Sequence, residues 1–71
     1  MSDQSIQERP AHEQRVLTER EDRFAEYGRL RAFINGVVFP TLPSEQRALL
    51  KAQAKCMAEL VNILDRRISL F

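Results

Sequence analysis

The chain has 71 residues, a formal net charge of +1 and 30 % charged residues. So short a chain forms one helical domain, residues 1–71, and its core rarely supplies more than roughly 3–5 kcal/mol of stability. Cys56 is the only cysteine and His12 the only histidine, which excludes an intrachain disulfide and a zinc site with four such ligands. Self-association is the stabilising device that these exclusions leave, so we expect a homo-oligomer.

The charge and the chain's apolar runs exclude two classes of partner. A net charge near zero provides no strong basic field for the phosphates of duplex nucleic acid. Residues 1–4 lack the basic start of a signal peptide, and no stretch approaches the roughly 20 apolar residues of a membrane span. Together with the lone thiol, these features predict a cytoplasmic protein without a membrane partner.

The first half of the chain predicts one long helix over about residues 10–35. Pro10 suits the first helical position. Asn35-Gly36 is typical of a helix end at which Gly36 adopts the left-handed conformation. Residues 1–9 are polar apart from Ile6, which indicates either a frayed tail or a short helix that docks Ile6.

The second half predicts a short loop over residues 37–43 and a helix over residues 44–70, with Ser44 as its N-cap. Apolar residues recur there at spacings of four and three, a pattern typical of helix packing at a shallow angle: Leu50, Ala54, Met57, Val61, Leu64, Ile68 and Phe71. Leu49, Leu60 and Ile63 widen this stripe. The sequence therefore predicts an all-α fold, an antiparallel helical hairpin with a short N-terminal segment, whose broad stripe also contacts a second protomer.

One side of the first helix mixes apolar, aromatic and basic residues. Helical geometry places six side chains within about 40° of one line: Val16, Arg20, Arg23, Tyr27, Leu30 and Ile34. His12 falls on the same side and Arg31 at its edge. Arginine suits phosphate, and flat rings stack on bases, so this side suits a nucleotide. The alternative is structural: Arg20 and Arg23 pair with Glu13, Glu19 or Glu26, and Tyr27 belongs to the core.

A second basic feature lies at the end of the last helix. Arg66 and Arg67 occupy its final turns, where they favourably oppose the helix dipole and where Asp65 can bond to a neighbour. In an oligomer whose C-termini meet, they would instead form a ring of arginines that needs an anion at its centre. Both interpretations stay open at this point.

Catalytic chemistry finds no support in the chain, so we expect a protein that is not an enzyme and has no catalytic residue, metal or cofactor. Cys56 lies beside Met57 on the apolar side of a helix and is predicted to be a small buried hydrophobe, with Met57 in the core. His12 and Glu13 are adjacent and therefore point apart on a helix. Two glycines provide no phosphate-binding loop.

Several short motifs resemble those of a known family. They are the run from His12 to Glu19, Leu30-Arg31-Ala32-Phe33-Ile34, the loop from Phe39 to Leu42, Leu49-Leu50, Gln53, Met57, and the run from Ile63 to Ile68. Over roughly residues 11–70 they resemble the phage anti-CBASS nucleotide sponges. The resemblance implies a compact helical homohexamer in the cytoplasm of an infected bacterium. It also implies that the protein sequesters cyclic oligonucleotides without cleaving them, which blocks host CBASS signalling.

The resemblance also implies two kinds of binding site. Cyclic dinucleotides, such as cyclic GMP-AMP, bind between protomers, with His12 at or near the family's stacking aromatic and Arg15 in the Arg-Val motif. The family's phosphate-binding lysine has no clear match near Glu26-Tyr27-Gly28, so Arg23 or Arg31 from adjacent turns replaces it, beside Tyr27. Cyclic trinucleotides bind on the oligomer's symmetry axis, where Arg67 matches an Arg-Ile pair and Arg66 precedes it.

Two other functions compete with this one. A protein-interaction module would use the apolar stripe of residues 44–71 to cap a host protein, and it would be a monomer or dimer on its own. A small DNA-binding dimer is disfavoured by the net charge and by the lack of two closely spaced helices joined by a turn.

Overall fold

The computed structural model of the protein describes residues 9–71, so the prediction for Ile6 lies outside the described residues. The fold is the predicted helical hairpin. Helix α1 spans Ala11–Ile34, a single 3-10 turn spans Phe39–Thr41, and helix α2 spans Ser44–Ile68. The two helices run antiparallel and pack along their length. Within the described part of the chain, no helix is long and apolar enough to cross a membrane.

Helix α1 begins one residue later than its sequence signal predicts, whereas α2 begins one residue earlier, because Ser44 is its first helical residue rather than its N-cap. Pro10 precedes α1, and its carbonyl accepts hydrogen bonds from the backbone N–H groups of Glu13 and Gln14. Pro43 likewise occupies the N-cap position of α2, and its carbonyl accepts from the N–H of Arg47 at 3.0 Å. The prediction of a Ser44 side-chain cap is therefore wrong, because the extended backbone of Pro43 already provides the turn into the helix.

The end of α1 also differs from the prediction. No residue in the described range has a positive φ angle, so Gly36 does not adopt the left-handed conformation. The helix ends instead with hydrogen bonds between residues close in sequence. The Asn35 N–H donates to the carbonyls of Arg31 and Phe33, and the Gly36 N–H donates to the carbonyl of Phe33 at 3.1 Å. Such bonds satisfy terminal carbonyls without a left-handed residue.

The core of the hairpin is one line of side chains between the helices and under the turn. Its buried members are Val16, Phe39, Ala54, Val61 and Leu64. The buried positions of α2 belong to the predicted stripe, which confirms its period. Phe71 lies beyond the end of α2 and stays exposed. Leu49, Leu60 and Ile63, at the edge of the stripe, are 63 %, 36 % and 50 % exposed.

Cys56 lies outside this core and is exposed, so the prediction of a buried thiol is wrong. The hairpin provides α2 with one neighbouring helix, and only the narrow line around Val61 and Leu64 becomes buried. Residues two positions from Ala54, such as Cys56, point away from that line because successive residues are about 100° apart on a helix.

An ion pair at the surface joins the two helices. The Arg20 guanidinium donates to both carboxylate oxygens of Asp65, from Nε at 2.7 Å and from Nη2 at 3.3 Å. This hydrogen bond raises the pKa of Arg20, and the guanidinium also lies over the Phe24 ring at 4.7 Å. Arg20 therefore joins the helices rather than pairing within α1. The contact places the first half of α1 beside the last half of α2.

Candidate functional site

The predicted mixed line of α1 faces its partner helix. Val16 is buried, and the other five members are half-buried: Arg20, Arg23, Tyr27, Leu30 and Ile34. This arrangement confirms the predicted line as a single face. It also shows that Arg20 and Tyr27 serve partly as packing groups between the helices, so a ligand would reach the line from its edge.

One surface depression lies on the first half of α1 and has a volume of about 380 Å³. Its lining residues recur at helical spacing over nearly three turns: Gln14, Arg15, Thr18, Glu19, Asp22 and Arg23. We call it the α1 depression. It brings together two of the five residues predicted to bind a cyclic dinucleotide, Arg15 and Arg23. It is an open surface on one side of a single helix, so a ligand held there would need a second surface to enclose it.

Arg23 is held in place by carboxylates of its own helix, as the structural alternative predicted. Its Nε and Nη2 donate to the two carboxylate oxygens of Glu26, each at 3.0 Å, and Nη1 lies 4.0 Å from Glu19. The hydrogen bond with Arg23 lowers the pKa of Glu26 below its ordinary value of 4.5. The pair therefore contributes at neutral pH and is lost only as the pH falls through this lowered pKa. Glu26 occupies two of the donors, whereas Nη1, although close to Glu19, makes no hydrogen bond within the described chain and can donate one at the depression.

Arg15 differs from Arg23 in its surroundings. It is exposed in the second turn of α1 and makes no ion pair or side-chain hydrogen bond with another residue of the described chain. As far as residues 9–71 are concerned, its donors can contact a ligand. Arg15 is therefore the stronger candidate for a direct phosphate contact.

The remaining predicted dinucleotide residues do not line this depression. His12 is exposed in the first turn of α1, whereas Tyr27 lies 15 residues later, about 22 Å along the helix axis at the usual rise. Arg31 Nη1 donates to the Tyr27 hydroxyl at 2.8 Å, with its guanidinium 5.7 Å from the ring centre. The chain thus presents three groups on α1: His12, the α1 depression, and the Tyr27–Arg31 pair.

A second depression, of about 270 Å³, lies at the end of α2 and is lined by Ile63, Arg66, Arg67 and Leu70. We call it the α2 depression. It brings together both residues predicted to bind a cyclic trinucleotide. Across residues 9–71 neither arginine pairs with a carboxylate, because the nearby Asp65 is engaged by Arg20. The site therefore carries two uncompensated positive charges between two exposed apolar side chains.

Several lining residues were not among the predicted site residues. In the α1 depression these are Gln14, Thr18, Glu19 and Asp22, and in the α2 depression Ile63 and Leu70. The sequence signal that could have identified them is their helical spacing from the predicted arginines, since residues four apart on a helix share a face. The described residues contain no group of three or more His, Cys, Asp or Glu side chains that could hold a metal ion.

The fold and these depressions define a small helical-hairpin protein with two arginine-containing surface sites. The Sequestin family model matches residues 10–70, which is most of the chain. The chain belongs to the Sequestin family, and this assignment confirms the family resemblance that the sequence motifs indicated. The family's name fits a protein that sequesters a ligand. No curated protein and no solved structure gave a significant match.

Proposed function

We propose that this protein binds and sequesters cyclic oligonucleotide second messengers without cleaving them, and so blocks CBASS signalling in a phage-infected bacterium. One observation carries the proposal: in a chain of the Sequestin family, each of two surface depressions contains a pair of arginines. Paired guanidinium groups recognise phosphate through charge-assisted hydrogen bonds. A cyclic oligonucleotide carries several phosphates close together and therefore suits such pairs.

The α1 depression supplies one part of the cyclic dinucleotide site. Arg15 contacts phosphate directly, and Arg23 does so through its Nη1, which Glu26 leaves unbonded and which lies 4.0 Å from Glu19, while Glu26 fixes its orientation. His12 and the Tyr27–Arg31 pair lie too far apart along α1 for one small ligand to touch both. A second protomer with an antiparallel α1 would place its own Tyr27 ring near His12. The complete site therefore lies between protomers.

The α2 depression suits an anion on a symmetry axis. Arg66 and Arg67 are unpaired within the described chain, and copies of them around an axis would repel one another. A cyclic trinucleotide would relieve that repulsion with one phosphate for each protomer. The exposed Ile63 and Leu70 beside the arginines provide apolar surface for its bases.

Assembly into a homohexamer completes both sites and covers the edge of the apolar stripe. Leu49, Leu60 and Ile63 remain exposed on α2, as do Phe24 and Phe33 on α1. Exposed apolar side chains in such number, on a chain with so small a core, indicate a surface that is covered by another copy.

Replacing Arg15 by alanine should weaken cyclic GMP-AMP binding about 10-fold or more, since hydrogen bonds to charged groups contribute about 1.5–3 kcal/mol each. Isothermal titration calorimetry measures this loss. Arg29→Ala is the matched control: it removes an exposed arginine of the same helix that lines neither depression, and it should bind as the wild type does. Equal affinities of the Arg15→Ala variant and the wild type would contradict the assignment.

The exposed edge of the stripe also favours a second candidate, a protein-interaction module. In that case Leu49, Leu60 and Ile63 would cap a host protein rather than another copy of this chain. The free protein would then be a monomer or dimer, and it would not bind cyclic nucleotides.

A further inference from the structure

The α1 depression contains two carboxylates that phosphate binding alone does not explain. Asp22 and Glu19 lie among its lining residues beside Arg15 and Arg23. Glu19 lies 4.0 Å from Arg23, whereas Asp22 is exposed and pairs with no cation in the described part of the chain. A free carboxylate repels phosphate. Its place in the depression therefore suggests that it meets a different part of the ligand.

The chemistry of a carboxylate limits what that part can be. An ionised carboxylate only accepts hydrogen bonds, and it can accept two parallel ones. Guanine offers two adjacent donors on its Watson–Crick edge, the N1–H and the exocyclic amino group. Adenine and cytosine place their amino group beside a ring nitrogen that accepts, and uracil has one N–H between two carbonyls. Guanine is thus the base whose edge best complements Asp22.

We propose that Asp22 recognises the Watson–Crick edge of a guanine base, so that the α1 depression prefers guanine-containing cyclic dinucleotides. This inference rests on the proposed function, and it adds base specificity to a site otherwise defined by phosphate contacts. Asp22 lies seven residues from Arg15, about 10 Å along the helix axis. That separation lets the phosphate of a nucleotide reach Arg15 while its base edge reaches Asp22.

Calorimetric titrations with cyclic di-GMP and cyclic di-AMP test the inference. The wild type should bind cyclic di-GMP about 10-fold or more tightly than cyclic di-AMP, the discrimination expected of a bidentate contact to a base edge. Asp22→Asn places an amide N–H₂ against guanine's donors and should bring the ratio close to one. Glu21→Gln, which changes the adjacent carboxylate outside the depression, should keep the wild-type ratio. Circular dichroism of each variant verifies that the helices are retained.

The outcomes separate this inference from the proposed function. If the wild type binds both ligands equally, or if Asp22→Asn keeps the wild-type ratio, the guanine assignment is overturned while sequestration stands. If the wild type binds neither of these two cyclic dinucleotides nor any cyclic trinucleotide, the proposed function fails and this inference fails with it.

Discussion

Replacing Arg66 and Arg67 together by alanine is expected to abolish cyclic trinucleotide binding. The two guanidinium groups share the α2 depression and have no carboxylate partner within the described residues. Their N–H donors are therefore available to the ligand. Losing two contacts of about 1.5–3 kcal/mol each weakens binding by about 100-fold or more. In an oligomer the loss repeats in every protomer at the axis. Calorimetry with cyclic tri-AMP measures the effect.

A charge-matched control makes this experiment specific. Arg29→Ala combined with Lys55→Ala also removes two exposed positive charges, and neither residue lines the α1 or the α2 depression. This control should retain wild-type affinity. If it loses as much affinity as the Arg66 and Arg67 double variant, the effect is one of overall charge. If the double variant binds normally, the axial site is refuted.

Leu64→Ala is expected to remove most of the stability of the hairpin. Leu64 is the most buried large side chain described, with 1 % of its surface exposed, and it lies in the line that α2 packs against α1. Buried leucine-to-alanine changes cost about 2.7–5 kcal/mol. A chain of this size rarely gains more than roughly 3–5 kcal/mol from its core. Urea denaturation followed by circular dichroism should show a variant that is largely unfolded at 25 °C.

Leu49→Ala is the matched control, because it makes the same change on the same helix at a side chain that is 63 % exposed. In the isolated hairpin it should change the free energy of unfolding by no more than about 0.5 kcal/mol. If Leu49 lies in the proposed interface, the variant should instead shift the assembly toward smaller species in light scattering. A Leu64→Ala variant that unfolds at the wild-type urea concentration would contradict the packing described here.

The helices could be predicted because their signals are local. The seven-residue repeat of α2 places Ala54, Val61 and Leu64 on one side regardless of what they contact, and the structure buries all three. The predictions failed at the helix ends, where two local hydrogen-bonding arrangements compete. Pro10 is the N-cap of α1 rather than its first helical residue, Pro43 takes the N-cap position expected for Ser44, and short-range bonds replace the expected left-handed Gly36.

The candidate site was predictable only in part, for a physical reason. Arg66 and Arg67 are neighbours near the end of one helix, and Arg15 and Arg23 are about two turns apart on the other, so the sequence places each pair on one segment. Adjacent helical residues point about 100° apart, so the shared depressions become visible only in the fold. The Arg20–Asp65 pair depends on the register between two helices, which no single-helix pattern contains. Asp22 was missed because a carboxylate on a charged helix first suggests an ion pair with a neighbour.

The most direct test of sequestration is to purify the protein with and without cyclic di- and trinucleotides, measure its mass by light scattering, and heat each complex to identify what is released. Sequestration predicts a stable hexamer that retains the nucleotide and releases it chemically intact. Release of a cleaved product would show that the protein is an enzyme. A monomer or dimer that retains none of the nucleotides would contradict sequestration and favour the protein-interaction module.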